Sequence, residues 1–239
     1  MMEFIMKKKQ LVPMTILIIV GIAFLSPFYA FGQQERTIEE LFLQSMELQM
    51  VGEQAFSLDR DTKLAALQTL EERLADGAYS EGDPEVHLIL DYLSMEGIGT
   101  QFREGGRLVN DFPDVRREAA KLLGKLGGRN AKDSLINVLL SDNEPMVMAE
   151  AAYALGSMGI NENNQVTQAL SYAILNQDIL TPDNNFAFAT LLAFEKIAAA
   201  NNGIYDPAVF RALVRISQGN YIRTVKLKAN EVIRTLNTY

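Results

Sequence analysis

Apolar side chains recur at helical spacing along most of the chain, and the pattern is clearest between residues 111 and 159. There, the stretch from Val115 to Gly127 is repeated from Val147 to Gly159, with each landmark displaced by 32 residues. In both copies the apolar positions fall at i, i+4, i+7 or i+8, and i+11, which is the spacing of one helix face. Similarity at a fixed period of about 20 to 50 residues predicts a solenoid of stacked helices.

Small residues hold the same places in both copies. Each copy carries a pair of alanines, Ala119-Ala120 and Ala151-Ala152, which would let a neighbouring helix come close. Gly127 and Gly159 follow the last periodic residue, where a helix can end in the left-handed conformation. The repeated element is therefore predicted to be a helix that packs closely and ends at a glycine.

These residues resemble the HEAT repeat family, in particular its short repeats of the phycobilisome-lyase type. That pattern has Asp, Pro, Val and Arg before Ala-Ala-x-x-Leu-Gly-x-x-Gly. The second copy has Met148 in place of the arginine that usually links one repeat to the next by polar contacts. The resemblance implies a right-handed superhelix of helix pairs that binds other proteins; the signal peptide described below would make this chain an exported bacterial member. The matching residues are Asp111, Pro113, Val115 and Arg116 in the first copy, and Asp142, Pro145 and Val147 in the second.

Weaker copies of the stripe begin at Phe186 and Val225, each 39 residues after the preceding one. The predicted fold class is all-α, a right-handed α-solenoid of about five HEAT-like helix pairs after an N-terminal signal peptide. The repeat domain spans residues 33–239, and its pairs lie near 38–76, 85–127, 130–158, 165–200 and 207–237. The Glu-rich N-terminal repeat and the basic C-terminal repeat are expected to act as the polar caps of a solenoid.

The first helix is predicted to start at a capping box formed by Thr37 and Glu40. Its apolar stripe is expected to face the core and consists of Ile38, Leu41, Phe42, Met46 and Met50, with Phe56 near its end.

Residues 1–32 have the layout of a secretory signal peptide: three lysines, an apolar run from Leu11 to Leu25, and Ala30-Phe31-Gly32 before Gln33. This predicts an exported protein, periplasmic or otherwise extracytoplasmic. The alternative is an uncleaved inner-membrane anchor, because about 20 apolar residues span a bilayer. Membrane association is expected only through this segment.

Residues 97–112 are the least regular part of the chain, with four glycines around Phe102 and two arginines. Their spacing is compatible with a short helix weakened by glycine or with a long loop, and such loops are often functional. Both readings stay open at this point.

Charge is distributed unevenly. Without residues 1–32 the chain has 19 basic and 29 acidic side chains, yet residues 103–132 carry eight basic against four acidic ones. Arg117, Lys121 and Lys125 lie four residues apart and form what we call the basic ridge, which is either a solvated face or a contact for an acidic protein partner. The predicted partner-binding residues are Phe102, Arg103, Arg107, Arg117, Lys121, Lys125 and Arg129.

Catalytic chemistry finds little support in the sequence. The chain has one histidine, His87, and no cysteine, and no Ser lies in a G-x-S-x-G motif. No catalytic, metal or cofactor site is predicted, and net negative charge disfavours nucleic acid as a partner. The predicted function is a non-enzymatic protein–protein interaction scaffold or adaptor in the bacterial envelope. The alternatives are a membrane-anchored component of an envelope assembly and a lyase-like enzyme, the latter implied by the family resemblance.

Overall fold

The computed structural model describes residues 37–239, apart from the side chain of Leu41. The predicted signal segment, residues 1–32, lies outside the described residues. Contacts divide the chain into two units, Met1–Phe42 and Leu43–Tyr239. The described part of the first unit is the start of one helix, and the second unit holds everything that follows.

The described residues form ten α-helices, one short 3₁₀ turn at Glu162–Asn164 and a two-stranded antiparallel hairpin. The helices are α1 Ile38–Ala55, α2 Arg60–Ala75, α3 Pro84–Ser94, α4 Pro113–Leu126, α5 Gly128–Ser141, α6 Pro145–Met158, α7 Gln165–Leu175, α8 Asn184–Ala200, α9 Pro207–Gln218 and α10 Arg223–Leu236, and the strands are β1 Arg103–Glu104 and β2 Arg107–Leu108.

Short polar side chains and prolines set where helices begin. The predicted capping box at the start of α1 is confirmed: the Thr37 amide donates to Glu40 Oε2 at 2.9 Å, and the Glu40 amide donates to Thr37 Oγ1 at 3.2 Å. Asp59 accepts from the Thr62 amide at 2.8 Å, and Asp183 accepts from the Phe186 amide at 2.7 Å. These bonds satisfy amides that a helix itself leaves without partners.

Within the second unit the helices alternate between two layers. Helices α2, α4, α6, α8 and α10 contact one another in succession, and α3, α5, α7 and α9 do the same in the other layer. Consecutive helices such as α3 and α4, or α5 and α6, pack across the layers. The apolar core runs between the layers from α1 to α10. The all-α fold class is confirmed, and the unit is an α-solenoid.

Small residues bring neighbouring helices of one layer into very close contact. A Cβ atom placed on Gly124 of α4 would lie 2.6 Å from Ala154 Cβ on α6, and one on Gly156 would lie 2.7 Å from Ala193 Cβ on α8. Gly159 ends α6 in the left-handed conformation, with φ of 67°. The repeated glycines therefore act partly as contact surfaces and partly as helix ends.

Helix α1 does not use the stripe predicted for it. Its buried positions are Leu48, Val51 and Ala55, whereas Met46 and Met50 are exposed. Ile38, Phe42 and Phe56 are exposed as well. The prediction was wrong because α1 is apolar on two sides, and the sequence does not show which side meets the core.

The segment 97–112 contains the two-stranded hairpin, and no helix forms there, so the structure decides between the two readings that the sequence left open. Arg103 pairs with Leu108 and Glu104 with Arg107. Gly105 and Gly106 form the turn, with φ values of 56° and 83°. Two consecutive positive φ angles are typical of the tight turns that join antiparallel strands.

Candidate protein-interaction surface

The hairpin is held at its base by one buried side chain, Asn110. Its Oδ1 accepts from the Phe102 amide at 2.8 Å, and its Nδ2 donates to Glu96 Oε1 and to the Thr100 carbonyl, each at 2.8 Å. A buried amide with all of these partners fixes the backbone around it. The hairpin is therefore attached to the solenoid through Asn110 and Glu96.

Above this base the hairpin presents polar and aromatic side chains to solvent. Phe102 is 39% exposed, and Arg103 and Arg107 are exposed as well. Arg103 lies against its own hairpin, donating to the Gly106 carbonyl at 3.2 Å and to Gln101 Oε1 at 3.0 Å. Three of the predicted partner-binding residues are thus together on one short, anchored element.

A buried polar network lies beneath the hairpin. Lys63 is fully buried; its Nζ lies 2.8 Å from Glu96 Oε2 and donates to the Ala55 carbonyl at 2.8 Å. Arg116 is also buried; its Nη1 donates to the Glu96 carbonyl at 3.0 Å, and its Nε donates to Asp142 Oδ2 at 2.6 Å. The family resemblance implied the polar link made by Arg116, but the sequence did not reveal the pair of Lys63 and Glu96, although Lys63 and Arg116 are each the fourth residue of their helices, α2 and α4.

Burial alone would lower the pKa of the Arg116 guanidinium, but hydrogen bonds to Asp142 and Asp111 outweigh it and raise that pKa. Met148 is the fourth residue of α6 and packs against the hydrophobic core instead. The contact at this position is therefore polar in α2 and α4 and apolar in α6.

The basic ridge on α4 is matched by carboxylates of the chain itself. Lys121 Nζ lies 2.5 Å from Glu118 Oε1 and 2.8 Å from Glu71 Oε1, and Lys125 Nζ lies 2.6 Å from the same Glu71 oxygen. Hydrogen bonds from Lys121 and then Lys125 hold the pKa of Glu71 below its usual value. The ridge is half-exposed, with two of its charges already paired.

Arg117, the third member of the ridge, borders an open groove of about 690 Å³ between α2 and α4. The groove is lined by acidic and basic side chains, among them Glu72, Glu118 and Lys125. On α6, burial raises the pKa of Glu150, and the charge of Arg117 partly opposes that effect. The layer formed by α2, α4, α6, α8 and α10 therefore carries a charged groove between α2 and α4.

Arg129 lies apart from the ridge. Its Nη2 is 2.6 Å from Glu162 Oε1, and both residues border a different opening, of about 490 Å³, beside His87. The seven predicted residues thus fall into three places: the hairpin, the groove of α4, and this opening at the start of α5.

His87 meets a serine and an aspartate that its sequence position did not reveal. Its Nε2 lies 3.1 Å from Ser134 Oγ, and Ser134 Oγ donates to Asp91 Oδ1 at 2.5 Å. Because the carboxylate takes the hydroxyl proton, the hydroxyl accepts from His87. In a catalytic triad the aspartate instead contacts the histidine, which takes the serine proton. The arrangement found here joins α3 to α5.

Within the part of the chain that the structure describes, no group of three or more His, Asp or Glu side chains is placed to hold a metal ion. Among the described helices, none is both long enough and apolar enough to cross a membrane.

Comparison with known proteins agrees with this architecture. Residues 107–179 match the family described as HEAT repeats. Among solved structures, the chain is similar to the complex of CpcE and CpcF of phycocyanin lyase from Nostoc sp. PCC7120, with 18% identity and a TM-score of 0.55 over 90% of this chain and 70% of that chain. No curated protein sequence matches significantly. The resemblance to the HEAT repeat family is thus confirmed, by the match over residues 107–179 and by the fold of the chain.

Proposed function

We propose that this chain is a non-enzymatic protein–protein interaction scaffold or adaptor, exported to the bacterial envelope, that binds a protein with an acidic surface. HEAT repeats suggest such a role, and the structural neighbour is itself a complex of two proteins. The hairpin is the observation that carries the proposal. The hairpin belongs to neither helix layer, so it is not needed for stacking, yet hydrogen bonds of Asn110 hold it in place.

The hairpin is a better contact point than the basic ridge. Arg107 is exposed on strand β2, whereas Lys121 and Lys125 already contact Glu71. A partner carboxylate at the ridge would have to compete with Glu71. At the hairpin it could pair with the Arg107 guanidinium, and an apolar side chain of the partner could pack on the ring of Phe102. An anchored arginine and aromatic pair is the kind of group that dominates binding energy at interfaces.

A pair of charge reversals tests this assignment. Arg107→Glu alters the hairpin, and Arg211→Glu makes the same charge change on the exposed surface of α9. With a photoreactive residue at position 102, the full-length chain is cross-linked in native envelope extract. We expect Arg107→Glu to reduce the cross-linked protein several-fold and to flatten its salt dependence, with Arg211→Glu unchanged. Equal capture by both variants would remove the hairpin from the interface.

Export rests on the signal segment, residues 1–32. Mass spectrometry of the protein from its native host distinguishes cleavage from anchoring, because the first residue is Gln33 in one case and Met1 in the other. A chain that starts at Met1 and sediments with membranes would support the anchored envelope component instead.

A lyase-like enzyme is the second candidate, favoured by the similarity to the phycocyanin lyase complex. It predicts that the chain binds phycocyanin. Absence of co-elution of the two proteins in size-exclusion chromatography would exclude this candidate and leave the scaffold.

A further inference from the structure

Helix α1 has a second apolar face that the second unit does not cover. Leu43, Met46 and Met50 follow one another at i, i+3 and i+7 on the side opposite the buried Leu48 and Val51. Leu43 is 65% exposed and Met50 is 61% exposed. Helices that are apolar on both sides are normally buried on both sides. We call Leu43, Met46 and Met50 the α1 face.

The surroundings of the α1 face are acidic. The sequence of α1 contains glutamates but no lysine or arginine. Glu47 is paired with Arg73 of α2 at 2.7 Å. Glu53, also in the second unit, is exposed beside Met46 and Met50. Residues 35–96 as a whole carry 15 acidic and four basic side chains.

The last helix shows the opposite combination. On α10, Arg223, Leu227 and Arg234 lie on one exposed face, opposite the buried Val225 and Ala229. Leu227 is 58% exposed, and Ile222, just before the helix, is 56% exposed. Residues 201–239 carry six basic and two acidic side chains. We call Arg223, Leu227 and Arg234 the α10 face.

We infer that the α10 face of one copy binds the α1 face of a second copy, so that the chains associate head to tail. Among the described residues, the first and the last helix each leave an apolar side chain or stripe exposed, which a second copy would cover. Their charges are complementary, which favours this pairing over two like ends. An α1-to-α1 contact would place glutamates against glutamates with no basic residue on either helix. The inference is independent of the proposed function at the hairpin.

Two substitutions test the arrangement in the full-length chain, with association followed by sedimentation velocity over a concentration series. Met46→Asp blocks the α1 face, and Leu227→Asp blocks the α10 face. Each variant alone is expected to be monomeric. Because each retains the face that the other lacks, their equimolar mixture is expected to form a 1:1 dimer that grows no further. High salt should weaken wild-type association, as should Arg223→Glu.

Leu88→Asp is the matched control, since Leu88 is an exposed leucine on α3 outside both faces. It should associate like the wild type. Met50→Asp is a second variant of the α1 face, and circular dichroism verifies that every variant is folded. Dimers of Leu227→Asp alone would show an α1-to-α1 contact instead. Association that survives both substitutions, or a monomeric wild type, would overturn the inference.

Discussion

Arg116 and Asp142 form a buried ion pair that ties α4 to the C-terminal end of α5. Arg116 Nε donates to Asp142 Oδ2 at 2.6 Å, and Nη2 donates to Oδ1 at 3.3 Å. Arg116 Nη1 also contacts Asp111 Oδ1 at 2.7 Å and the Glu96 carbonyl. One guanidinium thereby holds together the segment between α3 and the hairpin, the segment after the hairpin, and the end of α5.

Removing this guanidinium should be costly. We expect Arg116→Met to lower the free energy of unfolding by about 3–5 kcal/mol, because Asp142 would remain buried without its cation. Adding Asp142→Asn should recover part of the loss, which a double-mutant cycle in urea would measure. Arg60→Met is the control, because Arg60 pairs with Asp114 at the surface, where an ion pair contributes little to stability. Equal losses for Arg116→Met and Arg60→Met would contradict the importance of the buried pair.

The contact between α6 and α8 depends on the absence of a side chain at Gly156. A Cβ there would lie 2.4 Å from Ala193 Cα, so Gly156→Ala should destabilise the protein by about 1–3 kcal/mol despite the better helix propensity of alanine. Gly52→Ala in α1 is the matched control, because its nearest neighbour would be Ile89 Cδ1 at 3.8 Å. Thermal unfolding should show a lower midpoint for the first variant and an equal or higher one for the second. The same change for both would mean that the helices are not in close contact.

Glu71 should stabilise the folded protein at neutral pH. Hydrogen bonds from Lys121 and Lys125 lower its folded pKa below the usual 4.5. This stabilisation is present above pH 4.5 and is lost as the pH falls through the lower folded pKa. Glu71→Gln should therefore cost about 0–1 kcal/mol at pH 7 in low salt and nothing in strong acid, measured by urea unfolding at several pH values. A cost that is independent of pH and of salt would show that its charge is not involved.

Glu150 should show the opposite dependence on pH. Burial raises its folded pKa above 4.5, so its ionisation favours the unfolded chain as the pH rises through this range. Glu150→Gln should match the wild type in acid and become the more stable of the two towards neutral pH. Unfolding experiments on the two glutamine variants in parallel provide the comparison. If Glu150→Gln loses stability at pH 7, Arg117 contributes more to this carboxylate than burial does.

Part of the candidate surface could be predicted from sequence. The excess of basic residues in 103–132 and the clustering of Phe102, Arg103 and Arg107 are visible in the order of residues. Their arrangement is not, because the turn at Gly105 and the anchor at Asn110 form only when the ends of the segment meet Glu96. The pairing of Lys125 with Glu71, 54 residues away, is likewise a property of the stack.

The sequence by itself determined that this protein is built from repeated helices. Helical periodicity, a fixed repeat, and the glycines that end or pack helices depend on neighbours within one turn or one repeat, so they are readable locally. Only the tertiary structure decided which side of α1 faces the core, and that Lys63 and Glu96 are buried together. It also decided which charges remain exposed. These outcomes depend on side chains brought together from distant repeats, because burial and ion pairing are set by three-dimensional contact and not by order along the chain.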